Sequence, residues 1–185
     1  MGTDKALLRI GHRTILERVI ARVAEVAEEV MVIGREGLNL PGVRAVPDVR
    51  PGAGALGGIY TALLAARNPH CLIVGCDMPF LKPELLRYLI GLSAEHDVTI
   101  PRLGHLLEPL HAVYARTCLG PIEQLLDHGG LRILDFFPDA NVRYVDREDM
   151  EALGPIDLSF FNVNTPEGLR RAMAIAAETE REGQI

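Results

Sequence analysis

The chain is 185 residues long and 48% hydrophobic, with 25 acidic against 19 basic residues and a net charge of -6. That is enough for one sizeable α/β core and short for two domains. It contains no run of about eighteen apolar residues, so no membrane span is expected, and no basic run longer than two residues, which argues against extended nucleic-acid binding.

The opening, Met1 to Leu8, is polar and then apolar, and bears no apolar secretory segment. Gly11-His12 predicts a short turn. Thr14 with Glu17 has the spacing of a capping box for a helix from Ile15 to about Glu29, with Leu16, Val19, Ile20 and Val23 on its apolar stripe. Val30 to Ile33 and Val43 to Val46 read as short strands. Between Pro47 and Gly58 lie four glycines and two prolines, an irregular loop ahead of a helix over Ile59 to Ala66. Backbone amides at Gly57 or Gly58 can hold a phosphate or a base. No Lys-Ser or Lys-Thr follows the glycines, so the same residues also fit a tight helix–sheet connection.

Cys71 to Gly75 is short, apolar and β-rich, and reads as a strand buried on both faces. It ends on Asp77, with Pro79 stopping the ladder. The carboxyl end of a central parallel strand is where open α/β sheets bind ligands. Asp77 has no cationic neighbour in sequence, so it reads as a divalent-metal ligand or as the start of a turn. The three cysteines, Cys71, Cys76 and Cys118, lack C-x-x-C or metal-finger spacing, which fits a reduced, cytoplasmic protein.

Pro83 to about Leu92 predicts a helix, Val98 to Ile100 a strand, Leu103 to Glu108 a turn or hairpin, and Pro109 to Tyr114 another strand. Glu108 and His111 can serve an acceptor, although a lone strand histidine is often structural; Arg102 and His105 rank below them. Pro121 to Leu126 and Leu131 to Phe137 read as helical, and Val142 to Val145 as a strand. Asp146 to Ile156 shows no periodicity. Finally, the apolar run at Phe160-Phe161 delivers Asn162 and Asn164, which share a face if the segment is a strand, and Thr165 caps a helix from Pro166 to about Glu182. The asparagines fit a ligand site or a turn held by its own backbone.

Three polar clusters therefore border the sheet: Asp4 with Lys5, Asp77, and Asn162 with Asn164. A mobile lysine suits phosphate, and a carboxylate holding Mg2+ can present phosphoryl oxygens for attack. Nucleotidyl transfer asks little more than such positioning and charge neutralisation. A redox enzyme is disfavoured, since Gly52, Gly54, Gly57 and Gly58 do not spell the dinucleotide fingerprint.

With these segments in hand, the chain resembles the molybdenum cofactor guanylyltransferases, the MobA-like nucleotidyltransferases. Met1-Gly2-Thr3-Asp4-Lys5-Ala6-Leu7-Leu8 is similar to the end of that family's opening motif. Pro51 to Ile59, Cys76 to Leu81 and Asn162 to Glu167 are similar to its P-G-x-x-x-L-x-G-I, C-D-M-P-F-L and N-V-N-T-P-E motifs.

The resemblance implies an α/β fold of three layers with a mostly parallel, Rossmann-like sheet, in a single domain over residues 1–185. It implies transfer of GMP from GTP to molybdenum-bearing molybdopterin with release of pyrophosphate. Lys5 would contact phosphates, Asp48 and its loop would help hold the nucleotide, and Asp77 would coordinate Mg2+, with Mn2+ an alternative. Asn162 and Asn164 would lie near phosphates, metal or acceptor, with Asn164 the one nearer the metal.

The resemblance also implies transient contact with molybdenum cofactor biosynthesis proteins or a recipient molybdoenzyme. The family's first strand and most of its glycine-rich loop precede the residue matched by Met1. A true start upstream of Met1 is therefore expected, as is an open sheet edge without it. Sister enzymes using CTP or a sugar-phosphate acceptor share these features, and a catalytically impaired nucleotide-binding protein is a different class of alternative.

Overall fold

The capping box forms as expected. In the computed structural model, which describes residues 5–182, the Glu17 amide donates to Thr14 Oγ1 at 3.1 Å, and the Thr14 amide donates back to Glu17 Oε2 at 2.6 Å. Ahead of it, a 3-10 turn spans Lys5–Leu7, and β1 (Arg9–Ile10) and β2 (Arg13–Thr14) form a small hairpin around the predicted Gly11-His12 turn. Helix α1 (Ile15–Val23) is shorter than expected. Its predicted last residue, Glu29, is instead drawn into bonds with the Arg44 guanidinium at 2.8 Å and the Arg67 amide at 3.1 Å. An acid at a helix carboxyl end also opposes the dipole.

Strands β3 (Val30–Ile33) and β4 (Val43–Val46) pair in parallel, as a ladder of their own. Helix α2 (Gly54–Ala65) starts earlier than expected, so Gly57 and Gly58 fall in its first turns. Strand β5 (His70–Val74) leads into the Asp77 loop, and α3 (Pro83–Gly91) begins on its proline. Then come β6 (Val98–Leu103), β7 (Leu106–Leu107), β8 (His111–Ala115), α4 (Leu119–Asp127), a 3-10 segment Ile133–Asp139 and β9 (Val142–Asp146). The aperiodic stretch after it holds α5 (Arg147–Glu151), with an Asp146–Asp149 capping box, and a 3-10 turn at Asp157–Phe160. Helix α6 (Pro166–Glu182) follows, and Thr165 Oγ1 accepts from the Gly168 amide at 3.0 Å.

The α/β class and the three layers are as expected, but the strand pairing is more mixed than the mostly parallel sheet anticipated. β8 lies between β5 and β6 and runs antiparallel to both. The chain returns from β6 through the tight β6–β7 turn, and such a short connection yields antiparallel neighbours. β9 runs parallel to β6 on its far side. Hence β5, β6 and β9 all point one way. Their carboxyl ends, with the start of β8, form one edge of the sheet.

Helices cover both faces. On one, Leu56, Ile59 and Leu63 of α2 and Ile122 of α4 pack with Ile100, Ala112 and Tyr114 of the sheet. On the other, Ile15 and Val19 of α1, Leu86 of α3 and Ala172 and Ala176 of α6 gather around Met78, Leu81 and Val163. Burying these side chains stabilises the domain by roughly 1.5–3 kcal/mol for each large aliphatic residue.

Among the described residues β3 pairs only with β4, and β5 only with β8. Between the two ladders lies an apolar slot of about 680 Å³, lined by all of β3 and β5 and by faces of α1 and α2. No helix of the described residues is long and apolar enough to cross a membrane.

Candidate active site at the carboxyl edge of the sheet

The site is built at the edge where β5 ends. The Gly75 amide donates to the Leu110 carbonyl at 2.9 Å and extends the β5–β8 ladder by one bond before the chain turns. A Cβ on Gly75 would stand 2.8 Å from Asp77 Oδ1 and 3.3 Å from the Met78 side chain. The glycine thus makes room for the carboxylate to fold back over the strand end. Asp77 itself is half-buried, and its carboxylate has no hydrogen bond or ion pair among the described residues.

The asparagine segment reaches this loop through the main chain. The Val163 amide donates to the Asp77 carbonyl at 2.9 Å, with Val163 fully buried beneath. Phe161 packs against Phe80, ring centroids 6.0 Å apart, and carries the Arg171 guanidinium 5.3 Å from its ring. Residues 161–164 are not a strand, so the expected shared face is not formed. Asn162 is half-buried and its Nδ2 donates to the Phe160 carbonyl at 3.1 Å; Asn164 is exposed. Lys5, from the start of the described chain, donates from Nζ to Asn164 Oδ1 at 3.2 Å. Lys5, Asp77 and Asn164 are thus brought together from three distant parts of the sequence. Asp4 lies outside the described residues.

Asp48 has another task in this structure. Its Oδ1 accepts from the Thr61 hydroxyl of α2 at 2.8 Å and from the Arg50 amide at 3.0 Å, and the Val49 amide donates to that same hydroxyl at 3.2 Å. The carboxylate folds the glycine-rich loop and ties it to α2. Arg50 extends the tie to α4. It pairs with Asp127 at 3.1 Å and Glu123 at 3.5 Å, and lies 5.4 Å from the Tyr60 ring, whose hydroxyl donates to Glu123 at 2.7 Å. Sequence reading missed this network because its members lie too far apart in the chain for spacing to signal it.

His111 does not face an acceptor: its residue is 0% exposed, at the head of β8 opposite Val74. Both ring nitrogens are buried without a partner at hydrogen-bonding geometry. Burial pushes the imidazole down to about 3, while the nearby main chain of Ser159 weakly favours the protonated ring. The ring is therefore neutral at physiological pH, and the expectation of an acceptor contact is corrected. Glu108, in the loop before β8, has its carboxyl raised by burial alone. Arg102 is engaged in a two-pronged bond to Asp146, at 2.6 and 2.8 Å, beside the Tyr144 ring. With the exposed His105 it borders a cleft of about 600 Å³, farther along the same edge.

Among the described residues no three His, Cys, Asp or Glu side chains gather as a ready metal cage. Mg2+ needs none: it is held by one or two carboxylates together with substrate phosphates and water. The Asp77 carboxylate, without a hydrogen bond or ion pair among the described residues, and the amide oxygen of Asn164, one residue past the Val163–Asp77 main-chain bond, are oxygen donors of that kind. The apolar slot meets the site at Gly75 and Cys76 and offers few polar groups.

Residues 1–142 match the model of the MobA-like NTP transferase domain. The chain belongs to that family. It is 44% identical over 188 residues to a probable molybdenum cofactor guanylyltransferase of Pelotomaculum thermopropionicum, covering 100% of this chain and 91% of the relative. Among solved structures, molybdopterin-guanine dinucleotide biosynthesis protein A from Archaeoglobus fulgidus superposes with a TM-score of 0.83 at 28% identity, over 96% of this chain and 92% of that one. The 2-C-methyl-D-erythritol 4-phosphate cytidylyltransferase of Thermus thermophilus shares the fold, with a TM-score of 0.69 at 20% identity over 94% of each chain. The fold is that of the nucleotidyltransferases.

Proposed function

We propose that this MobA-like domain transfers GMP from GTP to the terminal phosphate of molybdenum-bearing molybdopterin. A phosphate oxygen of the acceptor forms a bond to the α-phosphorus of GTP. The bond from that phosphorus to the bridging oxygen of the β-phosphate breaks, and pyrophosphate leaves with the electron pair. The product is the guanine dinucleotide form of the cofactor, destined for a recipient molybdoenzyme.

One observation carries the reading: Lys5, Asp77 and Asn164 converge at the carboxyl edge of β5, tied by the Val163–Asp77 main-chain bond and the Lys5–Asn164 contact. Lys5 neutralises and holds the triphosphate. Asp77 and Asn164 would hold Mg2+, or Mn2+ through the same oxygen ligands, which offsets charge on the phosphoryl oxygens. The loop fixed by Asp48 orients the nucleotide, and Asn162 steadies the turn that presents Asn164. This chemistry rests on positioning and electrostatics, and the residues named supply both.

The test is pyrophosphate release with molybdopterin–molybdate and Mg2+, from GTP and, separately, from CTP. It is run on the 185-residue chain and on a form extended upstream to the next in-frame start. Release from GTP in excess of CTP, by either form, supports the proposal. A preference for CTP, or no release from either form when both are folded, overturns it.

A further inference from the structure

His111 is a fully buried polar ring at the head of β8, and the reaction proposed above does not use it. Such a group costs more to bury than an aliphatic side chain of similar size. Its surroundings suggest what it does. The ring lies against Phe160, centroids 4.6 Å apart and inclined by 43°, and Ser159 precedes that phenylalanine in the chain. Both belong to the 3-10 turn Asp157–Phe160 that leads directly into Asn162 and Asn164.

That turn is held at several points. Ser159 Oγ accepts from the Lys82 amide at 3.0 Å, the Ser159 amide donates to the Ile156 carbonyl at 2.9 Å, and the Phe160 carbonyl receives Asn162 Nδ2 at 3.1 Å. His111 also pairs across the ladder with Val74, three residues before Asp77. One side chain therefore touches the turn that carries the asparagines and stands on the strand pair that carries the aspartate.

We infer that His111 is a positioning residue: its buried ring braces Phe160 and the turn that bears it, and so fixes the Asn162–Asn164 segment against Asp77. The role in catalysis rests on the reading of Asn164 given above. The mechanical coupling does not, and it has its own readout in the amide of Val163, which donates to Asp77.

The experiment compares wild type, His111→Ala and His111→Phe, with Phe160→Leu removing the same contact from the other side. Amide hydrogen exchange is followed at Val163, with Val113 and Tyr114 of β8 as internal references. Pyrophosphate release is measured in parallel. In His111→Ala and in Phe160→Leu, exchange at Val163 rises about tenfold or more while the β8 amides keep their protection. His111→Phe, which restores a ring face, brings Val163 back toward wild type.

Turnover falls about tenfold in the alanine variant with KM for GTP little changed, the scale seen when a supporting contact behind a ligand is lost. Unchanged exchange at Val163 in both disrupted variants overturns the inference. So does an equal loss of protection in β8, which would make His111 an ordinary core residue. Altered exchange at Val163, in a protein whose wild type releases no pyrophosphate, sustains the coupling and defeats the function proposed above instead.

Discussion

The Val163 amide and the Asp77 carbonyl are joined by a 2.9 Å hydrogen bond between parts of the chain more than eighty residues apart. Because this bond is main chain to main chain, it sets the distance between the aspartate loop and the asparagine segment whatever side chains they carry. Substitutions at Asp77 and Asn164 therefore test chemistry more than folding.

Replacing Lys5 by methionine removes a charge-assisted contact to phosphate. Such contacts are worth about 1.5–3 kcal/mol, which corresponds to roughly ten- to hundredfold in KM for GTP. Arginine at the same position recovers part of the loss. Asn164→Ala leaves the fold intact and raises the Mg2+ concentration needed for half-maximal turnover. Steady-state kinetics with varied GTP and Mg2+ separate the two effects.

Gly75→Ala places a methyl group 2.8 Å from Asp77 Oδ1. The neighbours are the free ends of Asp77 and the flexible Met78, so they move and the strand survives. The expected result is a near-native melting temperature with turnover reduced about 10–100-fold, the range typical when an oxygen ligand is misdirected. Metal titration followed by calorimetry checks it, and undiminished affinity would show that the carboxylate orientation does not matter.

Much of this was legible in the sequence, and the reasons differ by element. β3 and β4 were readable to the residue because each is a short segment beginning and ending on a β-branched residue and bounded by glycine, acid or proline. The Asp77 loop was readable because a buried strand ending on a carboxylate is a local pattern. The early start of α2 was not, since glycines lower helix propensity and only tertiary packing overrides that. The clamp by Asp48 on Thr61 and the burial of His111 depend on contacts across 13 residues and on a neighbouring turn 48 positions on, where Ser159 stands, and neither leaves a spacing signature. The antiparallel insertion of β8 was hidden because alternation within a strand says nothing of its direction.

Stability should carry an acid-sensitive component from α1. The Thr14 amide, and then its hydroxyl, bond the Glu17 carboxylate and hold its carboxyl below the usual glutamate value of 4.5. A depressed folded-state value means that the contribution is present above 4.5 and is lost as pH falls through the folded-state value. Glu17→Gln is therefore less stable than wild type at neutral pH, and the gap narrows as the solution is acidified below that point. Thermal melts of both proteins between neutral and acidic pH give the difference directly, and a constant gap would contradict the assignment. Thr14→Ala costs about 1 kcal/mol through loss of the cap.

The edges of β3 and β5 along the apolar slot, unpaired among the described residues, predict an uneven pattern of exchange. Backbone amides without ladder partners are protected only by burial. Amides of β5 directed to β8 should exchange slowly, while those of β3 and β5 directed into the slot exchange faster, although both sets lie in the same strands. Residue-resolved hydrogen exchange measures this, and uniform protection across β5 would mean that the slot edge is paired in solution.

Gly57 and Gly58 are adjacent in α2 and should respond in opposite ways to alanine. A Cβ at Gly57 meets Ala53 Cβ at 2.8 Å and the Arg50 carbonyl at 2.9 Å, whereas one at Gly58 meets nothing within 4 Å. The Arg50 carbonyl cannot retreat freely, because its residue is fastened by Asp48 through its amide and by Glu123 and Asp127 through its guanidinium. Gly57→Ala is thus expected to cost about 1–3 kcal/mol, as overpacking does, and to raise KM for GTP by displacing the loop. Gly58→Ala gains helix propensity of about 1 kcal/mol and raises the melting temperature. Paired thermal melts decide the matter: a Gly57→Ala protein as stable as wild type would show that the loop is not held against α2 as tightly as these contacts require.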